Sequence, residues 1–165
     1  AVLDGGLQAW QAAGGAIEAG MHVATAPANF ALTPARTALA AIETVAAQLG
    51  HSNQTLVDAR GGPRFRGEVE PLDPVAGHIP GALNRPFAQN IGADGRFKPA
   101  DQLKAEFLAL LGGRDPASVV HHCGSSVSAA PNILAMEVAG LGRTALFAGS
   151  WSEWCNTPDA PIAQG

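Results

Sequence analysis

The chain has 165 residues, 47% of them hydrophobic and 15% charged, with a formal net charge of −4. That length suits one main globular domain with a buried core. Without a run of Lys or Arg it lacks the electrostatic footprint of a nucleic-acid binder, so a small soluble partner fits better than a polyanion. No stretch approaches the roughly 18 apolar residues of a membrane span, and the first residues lack the layout of a secretory signal, which makes cytoplasmic residence the expectation. Two cysteines, Cys123 and Cys155, cannot frame a domain of this size with disulfides and leave a reduced, reactive thiol open.

Taken in chain order, the stretch from Ala12 to Pro27 is dense in Ala and Gly and suits a linker. Thr33-Pro34 predicts the start of a helix, with Thr as cap and Pro at the first helical position, and Gly50 predicts its end. Leu39, Ile42, Val45, Ala46 and Leu49 between them recur at helical spacing. Thr55-Leu56-Val57 reads as a short strand. From Gly61 to Pro86, Gly, Pro and charge dominate, which predicts long loops around a brief strand at Ala82-Leu83. Loops of this length usually carry function.

Pro99 predicts a second helix whose Leu103, Phe107, Leu110 and Leu111 share a face and which Gly112-Gly113 stop. Ser118 to His122 reads as a strand, about Ser128 to Val138 as a helix ended by Gly140, and Thr144 to Phe147 as the last strand. Strands alternating with helices predict an α/β domain with a mostly parallel central sheet covered on both faces.

Leu3-Asp4-Gly5-Gly6-Leu7-Gln8-Ala9-Trp10 resembles Phe147-Ala148-Gly149-Ser150-Trp151-Ser152-Glu153-Trp154. The second copy follows the last strand of its domain, so the first is expected to be the tail of a preceding one. The alternative is that a Gly turn before a Trp-bearing helix arose twice by chance. The domain reading is therefore residues 1–20 as a remnant, 21–32 as a linker and 33–165 as the functional domain, with residues 1–20 packing poorly on the rest.

The chemistry centres on His122-Cys123-Gly124-Ser125-Ser126-Val127-Ser128-Ala129. A thiol placed after an apolar strand and before a helix meets converging backbone N–H groups and the partial positive charge of a helix N-terminus, both of which stabilise a thiolate. Gly124 and the serines allow close backbone approach and add hydroxyl donors. The alternative is a buried structural cysteine, since Cys packs as a small apolar residue.

Three other chemistries are weighed on residues. A cysteine phosphatase needs an arginine at the position of Ala129 to clamp phosphate. A monothiol glutaredoxin shares Cys-Gly-x-Ser, but on the first strand of a smaller domain. A metal site could draw on His121 and Cys123 from one strand face, whereas His122 points to the other; both histidines otherwise serve as packing residues.

Four ordered motifs carry a family resemblance: Val57-Asp58-Ala59-Arg60 with Arg64-Phe65, then Gly77-His78-Ile79-Pro80-Gly81-Ala82 with Asn84, the Cys123 loop, and Gly149 to Trp154. The chain resembles the thiosulfate and 3-mercaptopyruvate sulfurtransferases, a family of tandem rhodanese domains. The resemblance implies a rhodanese-like fold, an active domain here and an inactive N-terminal domain as its missing partner. It implies Cys123 as a nucleophile that takes sulfur from a small anionic donor as a persulfide and hands it to cyanide or a thiol. Arg64, Gly124, Ser125, Ser126, Val127 and Ser128 are the implied binding residues, with no cofactor and no metal.

Arg64 could instead form an ion pair with Glu68 or Glu70. Asp58, Arg60 and His78 read as braces, and Trp151, Trp154 and Cys155 as core or domain-interface residues. Two departures from the family pattern stand out: Ser126 where Gly is usual, and Leu72 where the mercaptopyruvate branch tends to have a second arginine. They keep a second reading open, a sulfur-carrying or regulatory module without efficient turnover.

Overall fold

The computed structural model describes residues 2–21, 31 and 33–165. Five strands, β1 (Ala38–Ala40), β2 (Thr55–Asp58), β3 (Leu83–Asn84), β4 (Val119–His122) and β5 (Ala145–Phe147), form one sheet in the order β1-β5-β4-β2-β3. Every pairing is parallel, with Val57 beside Leu83 and His121, and Ala145 beside Ala38 and Val120. Parallel strands need crossover connections, which is why helices intervene.

Successive residues of β2 and β4 point to opposite faces, and both strands are buried on both. Leu56, Val120 and Phe147 pack on one face against Val45 of helix α2 (Ile42–Ala47) and Trp151 and Trp154 of helix α6 (Ser150–Trp154). Val57 and Val119 pack on the other against Leu103, Phe107 and Leu111 of α4 (Ala100–Leu111) and Ala135 and Met136 of α5 (Ala129–Val138). The expected α/β architecture with helices on both faces is what the chain adopts.

Both tryptophans are fully buried with their indole N–H groups satisfied, Trp151 donating to the Val75 carbonyl at 3.0 Å and Trp154 to that of Pro161 at 2.9 Å. A buried indole without such an acceptor would oppose folding. At the end of α4, Gly112 takes φ 57 as the left-handed cap, and its N–H bonds the Leu108 carbonyl.

The helix expected from Thr33 to Gly50 is shorter. Ala38–Ala40 pairs instead with β5 as an edge strand, and the helix starts at Ile42. Leu39 stays exposed, whereas Val45 is buried with Ile42 and Leu49 against it. An open sheet edge supplies backbone hydrogen bonds that outweigh the helix preference of an alanine-rich run. The brief strand expected at Ala82-Leu83 lies one residue later, at Leu83–Asn84. The linker expected over 21–32 lies, apart from residues 21 and 31, outside the described residues.

Among residues 2–21 the only regular element is helix α1 (Gly6–Ala12), which buries no side chain. Leu7 and Trp10 are exposed, unlike their repeat counterparts Trp151 and Trp154. The segment touches the domain through Asp4, whose carboxylate accepts the Phe97 N–H at 2.9 Å. It also borders an apolar groove of about 650 Å³ lined by Leu3, Leu39, Phe87, Ile133 and Leu134.

Candidate active site

The chain runs outward from β2 to β3, then returns to place β4 on the other side of β2. The carboxyl ends of β2 and β4 therefore flank the point where the winding direction reverses, the place where open parallel sheets form a crevice. The loops leaving those two ends carry Arg60 to Arg64 and Cys123 to Ser128.

After β2, Asp58 and Arg60 form a brace. Arg60 donates its backbone N–H to Asp58 at 2.9 Å and its guanidinium to the same carboxylate at 2.7 and 3.0 Å. It also bonds the Gly77 carbonyl at 2.7 Å and Glu70 at 3.2 Å, and lies over the Trp151 ring. Burial alone would raise the Asp58 carboxyl; neighbouring His122 and Arg60, with the Arg60 hydrogen bonds, hold it below the ordinary carboxylate value. The sequence reading of both residues as loop supports agrees with this geometry. His78 is likewise structural, its ring stacked on Phe65 and bonded to the Phe65 carbonyl at 2.8 Å.

Beyond β4, Cys123 is 2% exposed, packed against Ala59 and Ala129, and lies on the wall of a cleft of about 210 Å³. Arg64, Gly124, Ser125, Val127 and Ser128 line the same cleft, so the structure gathers six of the seven expected site residues. Ser126 is not in its lining. Its N–H and that of Cys123 both donate to the Ser150 hydroxyl, at 3.2 and 3.1 Å. Its own hydroxyl donates to the Ala148 carbonyl. Among the described residues the amides of Gly124, Ser125, Val127 and Ser128 have no hydrogen-bond acceptor.

The Ser126 backbone has φ 70, the left-handed region where glycine is favoured. Serine thus stands in a backbone conformation that suits glycine better. Ser150 also has a positive φ, 56, and was missed in the sequence; the available signal was Gly6 in the matching position of the repeat.

Arg64 sits on the short helix α3 (Gly62–Phe65), and of the ion pairs the sequence offered as its alternative role it forms the one with Glu70. Its Nε and Nη2 grip Glu70 at 3.1 and 2.5 Å, with Asp73 3.4 Å from Nη2. Glu68 pairs with Arg66 instead. The remaining Nη1 faces the cysteine loop, where a Cβ added to Gly124 would lie 3.4 Å from it. Leu72 and Asp73 line the cleft beside it, so an exposed aliphatic chain and a carboxylate complete the rim.

Beneath Cys123, His121 and His122 are fully buried. The His121 Nε2 lies 3.2 Å from the Met136 sulfur and its Nδ1 has no partner, so burial pushes its pKa down to about 3. Unfolded, the ring titrates near its ordinary 6.5. Between those values the unfolded chain binds the extra proton, so stability is full above about 6.5 and falls as pH drops. Urea unfolding at pH 7.5 and 5.5 should show a loss on the order of 1 kcal/mol from this residue, a loss that His121→Leu removes. An unchanged slope in that variant would contradict the assignment.

Cys155, which is not in the lining of the cleft, shows no activation: burial and Asp73 push its thiol pKa up. Among the described residues no group of three or more His, Cys, Asp or Glu side chains is placed to hold a metal ion, and no helix is long and apolar enough to cross a membrane.

The Rhodanese-like domain family matches residues 41–157. The chain is 50% identical over 99% of its length to a Pseudomonas aeruginosa protein named "Probable 3-mercaptopyruvate sulfurtransferase". It is 34% identical over 97% of its length to the thiosulfate sulfurtransferase of the same organism. It spans 57% and 58% of those two relatives. Among solved structures it superposes with a TM-score of 0.83 and 25% identity on EanB holding ergothioneine covalently linked with a persulfide cysteine, covering 99% of this chain and 41% of that one. With the family's profile spanning most of the chain, from before β2 to beyond α6, this protein belongs to the rhodanese-like domain family.

Proposed function

We propose that the domain is a sulfurtransferase that carries sulfane sulfur on Cys123. The observation that carries this reading is the cleft itself: Cys123, Arg64 and four loop residues whose amides have no acceptor among the described residues line the same small space. Amides directed at one point stabilise a thiolate and then the terminal sulfur of a persulfide. The names of the two Pseudomonas relatives and the persulfide cysteine of EanB support the same reading.

In the first half-reaction the Cys123 thiolate attacks the outer sulfur of thiosulfate. The new S–S bond forms as the old one breaks, and its electron pair leaves with sulfite. With 3-mercaptopyruvate the C–S bond breaks instead, and the thiol proton ends on the methyl carbon of pyruvate. In the second half-reaction cyanide or a thiolate attacks the terminal sulfur, and Cys123 leaves as thiolate. Arg64 Nη1, with its other nitrogens held by Glu70, orients the donor's sulfonate or carboxylate. No cofactor enters these steps.

Thiocyanate formation from cyanide and each donor tests the proposal. Parallel lines in double-reciprocal plots, the mark of a substituted-enzyme route, are the expected result. Absence of turnover with both donors would overturn it.

Under the same reading, residues 1–20 are the tail of a preceding domain, which supplies a partner surface. The exposed Leu7 and Trp10, whose repeat counterparts are buried, support this.

The uncharged Leu72 on the rim of the cleft favours a second reading, a sulfur carrier with little turnover. Ser126→Gly separates the two. Because the backbone already follows a glycine path, the enzyme reading expects the substitution to raise the rate by no more than about threefold. A rise of tenfold or more would favour the carrier.

A further inference from the structure

The loop that carries Cys123 is held from another element as well as by its own Ser126 hydroxyl. Two of its amides, those of Cys123 and Ser126, converge on one oxygen from another element, the Ser150 hydroxyl at the start of α6. That hydroxyl donates its own proton to the Phe147 carbonyl at the end of β5, 3.0 Å away. Ser150 is fully buried, and its hydroxyl makes all three of these bonds.

The residue also takes a backbone conformation that opposes its own identity. Its φ is 56, where a Cβ is strained and glycine is not. The matching position of the N-terminal repeat, Gly6, has φ 58. The same turn thus occurs twice, with glycine in the N-terminal copy and serine in the copy whose hydroxyl is bonded to the cysteine loop. A strained serine persists when its hydroxyl does something glycine cannot.

We propose that Ser150 is a positioning residue for sulfur transfer, and the proposal rests on the persulfide reading of Cys123. By taking up the Cys123 and Ser126 amides, the hydroxyl turns the loop so that the amides between and after them face the cleft. It also sets the direction in which the Cys123 side chain leaves β4. Main-chain bonds from Trp151 to the Cys123 carbonyl (2.9 Å) and from Ser152 to the Gly124 carbonyl (3.0 Å) hold the loop's first carbonyls. Ser150 adds the corresponding hold on its donors.

The test uses two variants of the full chain. Ser150→Gly removes the hydroxyl and relieves the strain; Ser150→Ala removes the hydroxyl and keeps it. Stability should therefore separate the variants, with the glycine form melting higher, whereas activity should not: both should lose about tenfold or more in kcat with the donor KM changed less than about twofold. Hydrogen exchange at the Cys123 and Ser126 amides should accelerate about tenfold or more in both variants while that of Val120 and His121 stays unchanged. A glycine variant with full kcat, or unaltered exchange at the two amides, would overturn the proposal. The exchange measurement needs no donor, so a wild-type chain that fails to turn over counts against the persulfide reading and leaves the positioning of the loop to be decided by exchange.

Discussion

Cys123→Ser should reduce sulfur transfer by at least about a thousandfold, because a serine oxygen at that place cannot accept sulfane sulfur and no second thiol borders the cleft. The substitution changes little volume at a site packed by Ala59 and Ala129, so the melting temperature should move by only a few degrees. Cys155→Ser supplies the contrast. That thiol is not part of the cleft's lining and has its pKa pushed up by burial, and the rate should stay within about twofold of the parent chain. Thiocyanate assays on both variants check this pair. Loss of activity in the Cys155 variant, with retention in the Cys123 variant, would move the nucleophile.

The second large effect concerns stability. Arg60 and Asp58 are both buried, and the guanidinium reaches Asp58, Glu70 and the Gly77 carbonyl at once. Arg60→Ala would leave the Asp58 carboxylate in the interior without its main partner and remove the cation over Trp151. Breaking a buried pair in this way costs about 3–5 kcal/mol, a large part of the roughly 5–15 kcal/mol that keeps a domain folded. Arg60→Lys keeps the charge but loses the planar fork, so it should fall between the two. Urea unfolding at pH 7.5 measures both, and a loss below about 1 kcal/mol for Arg60→Ala would contradict the bracing role.

The pH dependence of that brace has a definite sign. The folded Asp58 carboxyl titrates below its ordinary 3.8, so its contribution is complete above that value and disappears as pH falls through the folded one. Glu106, held by Arg85 and Lys98 down to about 2, behaves in the same way from its ordinary 4.5. Acid should therefore act in two stages, first on the buried His121 from about pH 6.5 and then on the carboxylates below about 4.5.

Features set by local pattern were legible in the sequence. The apolar face of α4 and its glycine stop, the buried run of β4, and the thiol between strand and helix all depend on neighbours a few residues apart. The thiol that borders the cleft and its loop could be named for the same reason. What depends on distant pairing was not legible. Ala38–Ala40 became a strand only because β5 offered an edge, and its alanines carry no mark of that.

The site shows the same division. Arg64 could be named, but that Glu70 takes two of its nitrogens while one faces Gly124 follows from how α3 and the following loop fold back. Ser150 was hidden because its role lies in one hydroxyl that reaches a loop from a different element. A serine where the repeat has glycine was the one trace it left in the chain.

The most direct measurement is intact and peptide mass spectrometry after the purified chain has been mixed with thiosulfate or 3-mercaptopyruvate and the excess removed. The account predicts the added mass of one sulfur atom on the peptide containing Cys123, lost again on addition of cyanide. Turnover with Cys123 unmodified, or sulfur found on Cys155 instead, would contradict it.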